Sequence, residues 1–141
     1  MNKGKIFYAS GSIILMAMGL GHFFGQFGPK PLDIQRAMIE EAMRSHRLQD
    51  LGFQYSMMDV MQCWGVFFGV LTIIFGTLNV LILFESLPPV SMIRFSVINL
   101  IAAAVLMTVG AMYVPFTAIG FSVIVLCFLA SAVLFYQHRK E

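Results

Sequence analysis

The chain is predicted to be an all-α, integral membrane four-helix up-down bundle, with an amphipathic helix between the first and second spans. Three observations predict it. Four apolar runs, Ile6 to Gly25, Val60 to Phe84, Val90 to Met112 and Phe116 to Tyr136, are each close to the ~20 residues with which an α-helix crosses ~30 Å of hydrocarbon. Hydrophobic residues make up 59% of the 141 residues and charged residues 11%, whereas a soluble domain has roughly 45–50% and ~25%. Prolines mark short connections between the later runs.

The spans are placed at about 6–25, 58–84, 90–112 and 116–136, and the amphipathic helix at about 31–50, in a single transmembrane domain. Lys3 and Lys5 before Ile6–Met18, with the small residues Ala17 and Gly19, also fit a secretory signal peptide. The apolar run continues through Phe23 and Phe24, so an uncleaved helix is expected. Pro88 and Pro89, and later Pro115, cannot continue a helix and push the residue before them out of the α region. The second, third and fourth spans should therefore be antiparallel neighbours. No repeat or low-complexity segment is visible.

The long connection has a different character. From Pro31 to Asp50 its residues favour a helix, with Asp33 near its start and Arg36, Glu40 and Arg44 at the i, i+4 spacing of exposed salt bridges. Ile34, Ala37, Met38 and Ala42 fall on one side, as in a helix that lies on the outer surface or caps the bundle mouth; a solvated helical spacer is the alternative.

Topology follows from basic residues close to span ends. Lys3, Lys5, Arg94, Arg139 and Lys140 fall on one side, and Lys30, Arg36, Arg44 and Arg47 on the other, where Asp33, Glu40, Glu41 and Asp50 balance them. Both termini are expected in the cytoplasm. Phe7, Tyr8, Phe84, Phe95, Phe135 and Tyr136 would then form the inner aromatic belt, and Phe27, Tyr55, Trp64, Tyr113 and Phe116 the outer one. The net charge of +2 and the lack of a basic stripe interleaved with aromatics set nucleic acid aside.

Polar residues within spans are costly and usually face the interior. His22 and Asp59 fall at matching depths near the outer ends of the first two spans, with Gln26 and Gln62 one turn away. His22, Gln26, Asp59 and Gln62 are the candidate ligand-binding residues. A His–Asp pair in hydrogen-bond reach would move a proton or hold a head group; alternatively, Asp59 caps the second span and His22 bonds a carbonyl or water. Asn79 and Asn99 match in depth toward the inner leaflet and are expected to hydrogen-bond between helices. Gly21 and Gly25, and Gly65 and Gly69, form small-xxx-small steps that would bring the first two spans together; a homodimer could use the same faces.

Met57, Met58, Met61 and Cys63 form a soft-ligand cluster of the kind that suits Cu(I), but chance clustering among 11 methionines is the better account, and no metal site is assigned. Cys63 and Cys127 make no C-x-x-C pair. His22 is the one histidine within a span, which disfavours a bis-histidine haem. No phosphate loop, nucleophile elbow or H-E-x-x-H motif occurs, so no catalytic residue is assigned.

GLGHFF in the first span, the Met-containing loop helix, FQYSMMDVMQCWGVFFG opening the second span and YVPFTAIGFS opening the fourth resemble small four-helix bacterial membrane proteins of the DoxX-like group. The resemblance covers nearly the whole chain. It implies a bacterial inner-membrane location, carries His22, Ser56 and Asp59 over as features, and points to an accessory role in quinone and sulfur redox chemistry, although no residue here supplies a redox centre. Asp59 stands where a neutral residue or histidine belongs in that pattern. The chain also resembles, in length and in Arg44 and Arg47 before the second span, the four-helix membrane enzymes that conjugate glutathione, but lacks their Asn, Glu and Pro. Membrane folds of the sterol-isomerase type are matched by His22 and Asp59 alone. The expectation is a non-enzymatic protein that binds a small lipophilic or head-group ligand, a lipid or quinone, in an outer-facing cavity; the alternatives are an accessory subunit of a larger membrane complex and an enzyme using His22 and Asp59 as acid and base, with Arg44 or Arg47 holding an anionic substrate. The cofactor is left open.

Overall fold

The computed structural model describes residues 3–28, 33–50 and 52–139, without the side chains of 113, 115 and 116. Its elements are α1 (Lys3–Phe27), α2 (Ile34–Ser45), β1 (Arg47–Asp50), β2 (Phe53–Ser56), α3 (Met57–Phe84), α4 (Pro89–Tyr113) and α5 (Pro115–His138). Four of the helices are long and apolar enough to cross a membrane, over Lys3–Phe27, Met57–Phe84, Pro89–Met112 and Thr117–His138. Large apolar side chains such as Ile13, Phe75, Ile101 and Leu126 point outward from all four. In water such a surface would drive association; in hydrocarbon it is the solvated surface. The chain is a small polytopic membrane protein.

Pro89 and Pro115 each occupy the first helical position after a short connection, where the missing N–H has no intrahelical acceptor to lose and the ring presets φ. The turns therefore fall where the prolines predict.

The chain divides into two compact units, residues 1–18 with 72–141, and residues 19–71. In the first, four helices close into a ring of pairwise contacts. A Cβ on Gly76 of α3 would overlap Met16 of α1 and come within 2.8 Å of the Ser12 carbonyl oxygen. Asn79 of α3 bonds Asn99 of α4, and Ser96 of α4 bonds Ser131 of α5 at 3.0 Å. The Ser131 hydroxyl donates to the Gly4 carbonyl of α1 at 3.1 Å, and a Cβ on Gly11 would sit 3.1 Å from that of Cys127 on α5. Buried positions recur every three or four residues, as at Met92, Ser96, Asn99 and Ala103 or Phe121, Ile124, Phe128, Ser131 and Phe135, the spacing of a bundle seam.

At its centre is a polar triangle. The Tyr8 hydroxyl donates to Asn79 Oδ1 at 2.9 Å, Asn79 Nδ2 donates to Asn99 Oδ1 at 2.7 Å, and Asn99 Nδ2 donates back to Asn79 Oδ1 at 3.1 Å. Asn99 Nδ2 also reaches Tyr8 Oη at 3.3 Å and the Phe95 carbonyl at 2.9 Å. The expected Asn79–Asn99 bond is present, and among the described residues no buried side-chain nitrogen or oxygen lacks a partner. Tyr8 departs from expectation: it is fully buried and packs edge-on to Phe128, with ring centroids 5.4 Å apart. Phe135 is buried too. Neither belongs to an interfacial belt, because their ring edges fill the bundle seam between α1 and α5. The side chains of Tyr113 and Phe116 lie outside the described residues.

Candidate functional site

The unit of residues 19–71 holds the end of α1, all of α2, a hairpin and the start of α3. The side chain of Asp33 caps α2 by accepting from the Gln35 N–H at 3.0 Å, which satisfies one of the free donors of a helix start. The helix ends earlier than its propensity suggests, because His46 turns to an extended backbone. The end of the predicted 31–50 helix is instead β1, paired antiparallel with β2 from Arg47↔Ser56 to Asp50↔Phe53. Gly52 sits at φ +84° in the turn, a conformation that costs a Cβ-bearing residue roughly 1–2 kcal/mol. The predicted start of that helix, Pro31 and Leu32, lies outside the described residues.

The junction of β2 and α3 is a capping box. The Ser56 N–H and hydroxyl donate to Asp59 Oδ2 at 2.8 and 2.7 Å, and the Asp59 N–H donates back to Ser56 Oγ at 3.1 Å. The carboxylate also lies in the first turn of α3, where the helix dipole favours an anion.

Between α1, α2 and α3 of this unit opens a cleft of about 690 Å³. Its α1 wall is His22 and Gln26. Its α2 wall is Gln35, Arg36, Ile39, Glu40 and Met43, with Asp33 at the cap; its α3 wall runs from Met58 through Met61, Gln62, Trp64 and Gly65 to Phe68. The Arg36 Nε donates to Glu40 Oε1 at 3.1 Å, one of the i, i+4 pairs anticipated. The Gln26 amide occupies the space over Gly65 that a larger residue would fill. The His22 ring meets Phe68 edge-on, with centroids 5.2 Å apart.

Three of the four predicted ligand-binding residues, His22, Gln26 and Gln62, share this cleft; Asp59 does not line it. Among the described residues no hydrogen bond joins His22 to Asp59, whose carboxylate is directed to Ser56. Arg44 and Arg47 are exposed and also lie outside the lining. Sequence reasoning missed the contributions of Arg36, Glu40, Met43 and Trp64. The available signal was the i, i+4 period of α2, which puts Arg36, Glu40 and Met43 on one face and Ile34, Ala37 and Met38 on another. The apolar face is the exposed one, with Ile34 81% and Met38 68% exposed.

The glycine steps are half as expected. Gly69 comes close to α1, a Cβ there lying 3.0 Å from the Phe23 nitrogen and 3.1 Å from the Gly19 oxygen. A Cβ on Gly21 or Gly25 would meet nothing within 4 Å outside its own turn of helix. Gly19 is the α1 residue at the close approach, because it shares a face with Phe23. Met58 and Met61 join Met43 in the cleft lining, and no group of three or more His, Cys, Asp or Glu side chains gathers among the described residues.

Comparison of the chain with protein-family models, with curated proteins and with solved structures finds no match.

Proposed function

We propose that this protein is a non-enzymatic membrane protein that binds a small amphiphile, of lipid or quinone type, in the cleft bounded by α1, α2 and α3. The observation that carries the reading is the two-sided lining: His22, Gln26 and Gln62 offer hydrogen-bonding groups, while Ile39, Met58, Trp64 and Phe68 offer apolar surface. Ligand sites of ~300–1,000 Å³ commonly combine such a wall with a few polar anchors, and 690 Å³ falls within that range. Burying the apolar end of the ligand drives binding, and the polar groups orient it.

The same reading places the protein in a bacterial inner membrane with both termini in the cytoplasm. The support is the charge bias: Lys3, Lys5, Arg94 and Arg139 lie close to span ends with few acidic residues beside them, whereas residues 19–71 have four basic and five acidic residues. Photolabelling tests the site. A diazirine-bearing alkyl probe should mark peptides covering residues 36–43 and 58–68 in a saturable manner, and His22→Ala with Gln62→Ala should reduce that labelling. Uniform, unsaturable labelling along the lipid-facing sides of all four spans would contradict a site.

A further inference from the structure

The cleft has a charge balance that amphiphile binding by itself does not require. Three ionisable carboxylate or guanidinium side chains line it: Asp33, Arg36 and Glu40. Arg36 and Glu40 answer one another at 3.1 Å. The Asp33 carboxylate accepts from the Gln35 N–H, an uncharged donor that helps cap the helix but does not offset the negative charge. Among the carboxylate and guanidinium side chains of this lining, acidic groups outnumber basic ones by two to one, and residues 19–71 as a whole carry five acidic and four basic groups.

Opposite α2 stand Trp64, which is 66% exposed, and Phe68, together with the thioethers of Met58 and Met61. An indole face attracts a cation, and does so best when the cation is weakly hydrated; thioethers are polarisable and adapt to irregular alkyl surfaces. A compact hydrated ion would lose too much water in such surroundings. An anionic head group would meet the excess carboxylate.

We infer that the cleft selects lipophilic cations, amphiphiles whose polar end is a quaternary or delocalised positive charge, through the Asp33 carboxylate on one wall and the Trp64 and Phe68 rings on the other. This rests on the amphiphile-site reading and narrows its ligand from lipid or quinone type to a cationic, lipid-type amphiphile. The alkyl part lies along Ile39, Met58 and Met61, and the charged end sits toward Asp33.

Trp64 is the single tryptophan of the chain, so its emission reports on the cleft without labelling. The full-length protein in a non-ionic maltoside micelle is titrated with decyltrimethylammonium, decanol and decyl sulfate, and Trp64→Phe supplies the background. The cation should shift Trp64 emission with a midpoint about tenfold lower than that of decanol, a preference of the size expected for a partly desolvated cation–aromatic contact. Asp33→Asn keeps a good helix cap while removing the charge; it should bring the cation's midpoint close to that of decanol and leave decanol unchanged. Equal midpoints for cation and alcohol, or an Asp33→Asn variant with unaltered selectivity, would overturn the cation inference while leaving an amphiphile site standing. No saturable response to any of the three would overturn the site itself.

Discussion

Replacing Asn99 with Leu tests the polar triangle at the centre of the helix ring. Asn99 is 6% exposed and has three hydrogen bonds that leave its own helix: it accepts from Asn79 and donates to Asn79 and Tyr8. Interhelical hydrogen bonds in membranes average about 0.6 kcal/mol and reach about 1.7, so losing three should cost about 2 kcal/mol. Leucine keeps the branched Cγ of asparagine and is the larger residue, so no cavity is opened. Asn79→Leu should cost a similar amount, because it breaks the same reciprocal amide pair. The double variant should then cost about 2 kcal/mol rather than about 4, since both single substitutions already remove the two amide bonds of the pair and the second adds only the loss of one bond to Tyr8. Equilibrium unfolding of the three variants in mixed maltoside and dodecyl sulfate micelles measures the cycle. Additivity to within about 0.5 kcal/mol would refute the reasoning and reduce the Asn79–Asn99 pair to independent packing.

Tyr8→Phe should be milder in the same assay, about 0.5–1.5 kcal/mol, because the ring stays against Phe128 and only the hydroxyl bonds are lost; an effect above that range would mean that the ring also moves. Gly76→Ala should destabilise, since its Cβ overlaps Met16 and the Ser12 carbonyl, whereas Gly21→Ala should stabilise by up to about 1 kcal/mol, having open space and a helical backbone; thermal melts in detergent compare them, and equal effects would show that the helices do not cross at Gly76. Ser56→Ala should cost about 1 kcal/mol at the start of α3 and speed amide exchange over residues 57–60, and unchanged exchange would argue against the capping box. Gly52→Ala should loosen the hairpin by roughly 1 kcal/mol through its positive φ, seen as faster exchange in β1 and β2 with the helices unaffected.

The four spans and their turns were legible because each rests on a local signal: a long apolar run, or a proline that ends one. The Asn79–Asn99 bond was legible for a related reason, since two amides at one depth in adjacent antiparallel helices have few other partners. Depth alone did not suffice for His22 and Asp59. It places side chains at a level but does not set the rotation of each helix, and the nearer partner for Asp59 was three residues away in Ser56. The Ser-x-x-Asp spacing carried that information in the sequence. Rotation also explains Tyr8, whose amphipathic ring suits an interface or a satisfied core equally well, and the glycines, among which spacing does not distinguish Gly19 from Gly21. The hairpin escaped notice because residues 47–56 lack an Asn-Gly or Asp-Gly turn; Gly52 between Leu48 and the aromatic pair Phe53 and Tyr55 was the only cue.

The cleft's occupancy is the most direct test of the account. Native mass spectrometry of the gently solubilised protein should show the 15.7 kDa chain carrying a small amphiphile, and His22→Ala with Gln62→Ala should shed it while the chain stays folded. A bare chain, or an adduct indifferent to those substitutions, would contradict the ligand-binding account, and a bare chain that brought other subunits with it would point instead to a structural role in a larger membrane complex.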